Sequence, residues 1–134
     1  MISPSLELQG AVLRVLTEDA GVVSFVGERI YDRVPAAAEF PYVSFGPEQA
    51  VSDDAECLTG FEVTLQIDVW SRAVGFPEVK AAANAVFRAL HDVELSLETN
   101  ALLSIQHRQT RYLRDPDGLT NHAAMEFTAL VEQP

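Results

Sequence analysis

The sequence predicts an α+β domain, with two helices packed on one face of an antiparallel sheet in the order α-β-β-β-α-β-β. Three observations predict it. Two segments place apolar residues at helical spacing, a central segment alternates apolar with polar residues, and the last third has the pattern of a long hairpin. A chain of 134 residues is long enough for one hydrophobic core, and we expect a single domain over residues 1–134.

The first helix is predicted to begin at Ser3, which can act as an N-cap, with Pro4 in the first helical position. We expect Gly21 to end it, before one more apolar turn that ends at Gly27. Its predicted buried face comprises Leu6, Val12, Leu13, Leu16 and Ala20. The second helix, which ends near His91, should bury Val79, Ala82, Ala83, Val86, Phe87 and Leu90.

Two short strands are predicted over residues 29–34 and 41–46, followed by a polar, acidic loop over residues 47–58. The clearest strand spans residues 59–72, where every second residue is apolar, so one face should be buried and the other exposed. The hairpin arms are residues 102–114 and 120–132, joined by a turn at Asp115-Pro116-Asp117-Gly118.

The first arm of this hairpin is polar on both faces between Gln106 and Arg111. A strand that is polar on both sides gains little from its own core. The pattern leaves two interpretations open: an arm that projects and pairs with another chain, or an exposed edge strand protected by its charges.

The net charge argues against nucleic-acid binding. Twenty acidic residues against nine basic ones give a net charge of −11, which would repel a nucleic-acid backbone.

No apolar run approaches the ~20 residues that cross a bilayer, and the N-terminal residues do not have the pattern of a signal peptide. The single cysteine, Cys57, has no intramolecular partner, which indicates a reducing compartment.

The sequence supplies no catalytic, metal-binding or cofactor-binding constellation. The three histidines, His91, His107 and His122, fall in three different predicted elements. Neighbouring carboxylates should raise the pKa of Cys57 and make it a poor nucleophile. The acidic run from Asp53 to Glu56 departs from the pattern of a calcium-binding loop, and phosphate-binding and nucleophile-elbow motifs are missing. We therefore expect an interaction protein and not an enzyme.

Four segments carry a family resemblance by their order and spacing: residues 27–35 (GERIYDRVP), 40–46 (FPYVSFG), 68–72 (DVWSR) and 114–118 (RDPDG). With the predicted element order, they make the chain resemble the tail-completion, or tail terminator, proteins of long-tailed bacteriophages and gene transfer agents. The resemblance extends from Leu6 to Glu132.

This resemblance implies a structural protein, without cofactor, metal or catalytic residues, that forms a hexameric ring at the tail–neck junction of a virion or phage-like particle. The implied partners are other copies of the chain, the tail tube protein and a head-proximal neck (stopper) protein. DNA would pass through the ring without specific binding, and no membrane is involved. Synthesis would take place in a bacterial cytoplasm. Another neck ring protein (a stopper or adaptor) and, remotely, a small hydrolase are the alternatives.

The residues expected to serve this ring are of two kinds. Candidates for the subunit interface are Arg108, Arg111, Arg114, Tyr112 and Trp70. The arginines could form salt bridges between subunits or protect an exposed edge, and Trp70 could fold inward at the strand end or anchor an interface. Candidates for the lumen or a tube-facing loop are Asp53, Asp54 and Glu56, which could equally lie on an outward surface loop.

Overall fold

The computed structural model of the protein describes residues 2–55 and 58–134. The elements, in chain order, are α1 (Pro4–Glu18), α2 (Ala20–Val26), β1 (Ile30–Tyr31), β2 (Tyr42–Ser52), β3 (Thr59–Ser71), α3 (Pro77–Leu90), β4 (Ala101–Arg114) and β5 (Asn121–Gln133). The predicted α+β class and element order are confirmed, with α2 in the place of the predicted extra apolar turn.

The strands form one five-stranded sheet in the order β1-β2-β3-β5-β4. The three pairs among the four long strands are antiparallel, as expected, whereas the two residues of β1 pair in parallel with β2. The loop between β1 and β2 returns the chain to the starting end of β1, which makes this one pair parallel.

The core lies between one face of the sheet and the three helices. Alternate residues of β3 and β5, among them Ile67 and Phe127, are fully buried and meet Leu8, Val26 and Val86 of the helices. The predicted alternation of β3 is confirmed on the helix side, although Asp68 on its other face is buried as well. The predicted stripe of α3 is buried except at Phe87, which is half-buried. The opposite face of the sheet, called the open face below, carries no helix among the described residues.

Two predictions about α1 are wrong. Leu6 is 65 % exposed and Ala20 is exposed, because the buried stripe runs instead through Leu8, Ala11, Val12 and Leu16. The helix also ends at Glu18, with Asp19 as its C-cap, and not at Gly21. Asp19 adopts an extended conformation and its carboxylate accepts a hydrogen bond from the backbone N–H of Val22, so it ends α1 and N-caps α2.

The predicted loop over residues 47–58 is also partly wrong, because β2 continues to Ser52. A bulge between Phe45 and Glu48 interrupts the pairing with β3, which then resumes from Glu48 to Ser52. These five residues are exposed. Their polar character, which suggested a loop, reflects a strand with little core to cover.

The helices have no membrane-spanning character. Across the described part of the chain, none of them is both long and apolar enough to cross a bilayer.

Candidate functional site

Trp70 belongs to a network of polar and aromatic side chains on the open face. Its indole ring stacks on the His122 imidazole, with ring centroids 3.8 Å apart and planes 9° from parallel. The indole N–H donates to the hydroxyl of Ser44 at 2.9 Å, and the ring of Tyr42 stacks at 6.2 Å on the indole. Trp70 is therefore held half-buried on the open face and does not enter the helix-covered core.

Asp68 anchors the other side of this network. It is 5 % exposed, its carboxylate lies 2.6 Å from Nε2 of His122, and the amide nitrogen of Gln66 donates to it at 2.8 Å. Gly46 leaves room for it, since a Cβ at Gly46 would lie 2.6 Å from Oδ2 of Asp68. The Ser44 hydroxyl meets the indole and not the imidazole, so these groups form a structural brace and not a nucleophilic relay.

Sequence reasoning missed this brace because it depends on strand register. Trp70 pairs with His122 and Ser44 with Asp68, and both relations follow only once β2, β3 and β5 are aligned. The available signal was the phase of β3, whose outward positions include both Asp68 and Trp70.

β4 forms one edge of the sheet. It pairs with β5 from Ala101 to Arg114, so it lies flat in the sheet instead of projecting as an arm. Near its middle, the segment after α3 covers the outer side: Asp92 N–H donates to the Ile105 carbonyl, and His107 N–H donates to Nδ1 of His91. From residue 108 to 114, called the β4 edge, no further backbone partner exists on that side within residues 2–55 and 58–134.

The interface candidates on this strand point in different directions. Arg111 pairs with Ala124 and lies on the open face, whereas Arg108 lies in a bulge between His107 and Gln109. Tyr112 and Arg114 lie on the helix side, where Lys80 sits 5.2 Å from the Tyr112 ring and Arg114 lies 4.5 Å from the Phe76 ring. All four side chains are exposed.

His107 lies on the helix side of β4. Its ring meets those of Phe87 and Phe127 edge-on and its Nε2 is 2.7 Å from the Thr110 hydroxyl. Burial, reinforced by the nearby His91, lowers the pKa of His107. The imidazole therefore packs at the edge of the core as a largely uncharged ring. This packing accounts for one of the polar residues in the middle of β4.

The opposite edge of the sheet belongs to β2. The short β1 pairs only with Val43 and Ser44. Residues 48–52, called the β2 edge, have no strand on their outer side within the described residues. The sheet therefore presents two unlike open edges.

The acidic turn follows the β2 edge. Asp53 N–H donates to the Gly60 carbonyl, and Asp54 Oδ1 accepts from Gly60 N–H at 3.1 Å. Both side chains are exposed. Glu56, the third acidic candidate, lies outside the described residues, as does Cys57.

Exposed apolar side chains collect at both ends of the sheet. At one end, Leu58 and Leu103, 51 % and 62 % exposed, line a cleft of about 170 Å³ with Asp53 and Glu132 on its rim. At the other end, Val74 is fully exposed and Leu119 is 66 % exposed. Each end of the sheet therefore carries apolar side chains that are exposed in the single chain.

Residues 2–55 and 58–134 contain no group of three His, Cys, Asp or Glu side chains arranged to hold a metal ion. The closest contact between an acidic side chain and a histidine, that of Asp68 with His122, belongs to the brace, so the notable features are edges and ends.

Comparison with known proteins decides the family. The family model for tail completion protein gp17 matches residues 10–132. The chain belongs to this family. It is also similar to a chain in a solved structure described as the virion of a native gene transfer agent (GTA) particle, with 31% sequence identity, coverage of 98% of this chain and 99% of that chain, and a TM-score of 0.91. No curated protein sequence matches significantly.

The tail completion assignment confirms the resemblance found in the sequence and the expected location in the tail of a phage-like particle. This family member is a tail structural protein. Its candidate functional surfaces are accordingly its two open edges, its open face and the two ends of its sheet.

Proposed function

We propose that the protein forms a closed ring that caps the head-proximal end of a tail tube, stops tube polymerisation and offers a docking surface to the neck. The observation that carries the proposal is the family match over residues 10–132, together with likeness to a gene transfer agent virion chain along nearly the whole of both chains. The number of subunits, six, comes from the family resemblance.

Two structural features support a ring of this kind. The sheet has an open edge on each side, and the two edges differ in sequence. Contacts between unlike surfaces are heterologous and close into a ring when the rotation permits. The apolar residues at the two ends of the sheet supply separate surfaces for the tube protein below and the neck (stopper) protein above.

The proposed role needs no catalysis. Ring formation, capping and docking are all binding events, and the Asp68–His122 contact belongs to the structural brace on the open face. DNA crosses the ring without specific binding, and Asp53, Asp54 and Glu56 are our candidates for an acidic lining that repels its phosphates.

A deletion in the producing cell tests this function. Without the protein, we expect tails of uncontrolled length, or tails that fail to join heads, in electron micrographs. Complementation with the wild-type gene is the control, and it should restore uniform, head-joined tails. Normal particles from the deletion strain would contradict the proposal.

A further inference from the structure

We infer that the β4 edge of one subunit pairs with the β2 edge of the next copy, so that the ring is closed by continuous β-sheet pairing between subunits. The inference rests on the proposed ring and names the surfaces that build it.

Backbone geometry carries the first step. Adjacent residues of a strand direct their N–H and C=O groups to opposite sides. Ile105 C=O and His107 N–H both bond on the outer side of β4, and the β5 pairing carries the alternation across the bulge. The groups of Thr110 and Tyr112 therefore point outward, away from β5.

The same reasoning applies to the other edge. Val43 N–H bonds Arg29 C=O on the outer side of β2, and the uninterrupted pairing of β3 with β5 fixes which residues of β3 face β2. Across the bulge, the backbone groups of Glu48, Ala50 and Ser52 point outward. Each edge thus offers a short row of backbone donors and acceptors, as a pairing strand requires.

Charge selects a second copy as the occupant. The β4 edge carries three arginines, Arg108, Arg111 and Arg114. The β2 edge carries the carboxylate of Glu48 and the turn after it carries three more, on Asp53, Asp54 and Glu56, with no basic residue in either. Opposite charges therefore lie on opposite edges of one chain, so a neighbouring copy supplies the complementary partner for each edge.

The exposure of the two edges is consistent with this pairing. Every residue from Pro47 to Asp54 is exposed, and neither edge contains a run of apolar residues that its own core would bury. Open edges of this length are normally blocked or covered in soluble proteins. A neighbouring subunit covers both edges at once, and because the edges differ, the contact is heterologous.

Proline at Ala50 tests the inference. This residue is exposed, its N–H points outward and it forms no bond to β3, so proline blocks pairing from outside while the strand within the subunit persists. The matched control is Ala50→Ser, which keeps the N–H. A second variant, Arg108→Glu with Arg111→Glu, reverses the charge of the β4 edge.

The measurement is ring formation by light scattering, in solution and on purified tail tubes, with circular dichroism to verify folding. We expect Ala50→Pro and the double arginine variant to assemble at least about tenfold more weakly, while Ala50→Ser assembles normally. Normal rings from folded Ala50→Pro and from the double variant would overturn the edge pairing. They would not contradict the proposed ring itself. If the wild type forms no ring in either setting, the proposed function itself fails.

Discussion

At the scale of single residues, the fold depends on a few polar contacts that bridge distant segments. The Glu7 carboxylate is the clearest case, since it accepts hydrogen bonds from the backbone N–H groups of Thr99 and Asn100 at 3.1 and 2.9 Å. It thereby ties the first turn of α1 to the start of β4, which positions the strand that carries the interface candidates.

The Glu7 contact predicts a pH-dependent stability. Desolvation opposes ionisation, but hydrogen bonds from Asn100 and Thr99 outweigh it and lower the pKa of Glu7 below 4.5. A lowered pKa in the folded state stabilises the protein above pH 4.5 and loses that effect as the pH falls through the folded value. Glu7→Gln should therefore be less stable than the wild type at pH 7. The difference between their free energies of unfolding, called the gap below, should narrow below pH 4.5.

Urea unfolding of the two proteins at several pH values measures this gap. Glu94→Gln, at an exposed position, is the control and should change little. A gap that stays constant from pH 7 to pH 3 would show that the charge of Glu7 plays no part.

Replacing glycine by alanine should have opposite effects on stability at two positions. Gly46→Ala places a Cβ 2.6 Å from Oδ2 of Asp68, which crowds the brace on the open face and should cost about 1–3 kcal/mol. Gly10→Ala meets nothing within 4 Å on an exposed position of α1 and should stabilise by about 0.5–1 kcal/mol. Chemical denaturation of both variants measures the pair, and equal effects would contradict this account of Gly46.

At the scale of elements, Asp19 separates α1 from α2. Because its carboxylate caps α2 by accepting from Val22 N–H at 3.0 Å, Asp19→Ala should destabilise the protein by about 1 kcal/mol. Asp19→Asn keeps a capping oxygen, so it should destabilise the protein by only a few tenths of that 1 kcal/mol. Thermal unfolding distinguishes the two, and equal losses would mean that the cap contributes little.

The elements also show what sequence could and could not predict. β3 and α3 were predicted closely, because each alternates or repeats its apolar residues against the core. The sequence predicts a loop at residues 48–52, where the structure has a strand, since a strand at an exposed edge covers no core and leaves no periodic signal. The Asp68–His122 contact joins residues 54 positions apart, and a single sequence contains no information on that register.

The interface candidates illustrate the same limit. The polar character of both faces of this strand predicts an interface there, and the four candidates on it are all exposed on the β4 edge: Arg108, Arg111, Tyr112 and Arg114. Their division between the open face and the helix side depends on two bulges in β4, which the sequence does not mark. Their role in subunit contact remains a prediction.

At the scale of the whole molecule, the exposed area fits a subunit made for assembly. The chain exposes 7609 Å², against ~6,900 Å² expected for a compact monomer of this mass. A sheet covered by helices on one face only accounts for the excess. Ring contacts of standard size, ~800 Å² per partner on two sides, would cover about a fifth of the exposed area.

The net charge of −11 predicts how assembly depends on salt. Subunits repel one another at long range, while close arginine–carboxylate pairs are screened less, so moderate salt should favour ring formation. Light scattering from about 20 to 300 mM salt covers Debye lengths from ~20 to ~6 Å. A steady fall of assembly with rising salt would mean that close ion pairs outweigh the repulsion.

The same charge predicts that the ring does not bind DNA. Filter binding of purified rings to duplex DNA at physiological salt should show no retention above background, because the acidic surface repels phosphate. A known DNA-binding protein serves as the positive control. Tight retention would rule out a passage that DNA crosses without binding.

A map of the tail–neck junction in intact particles tests the central claim most directly. The account predicts one closed ring of this chain, six-fold in symmetry, between the last ring of the tube and the neck, with the β4 edge of each subunit beside the β2 edge of the next. Copies of the chain at the far tip of the tail, along the tube or in the head, or an open rather than closed arrangement, would contradict it.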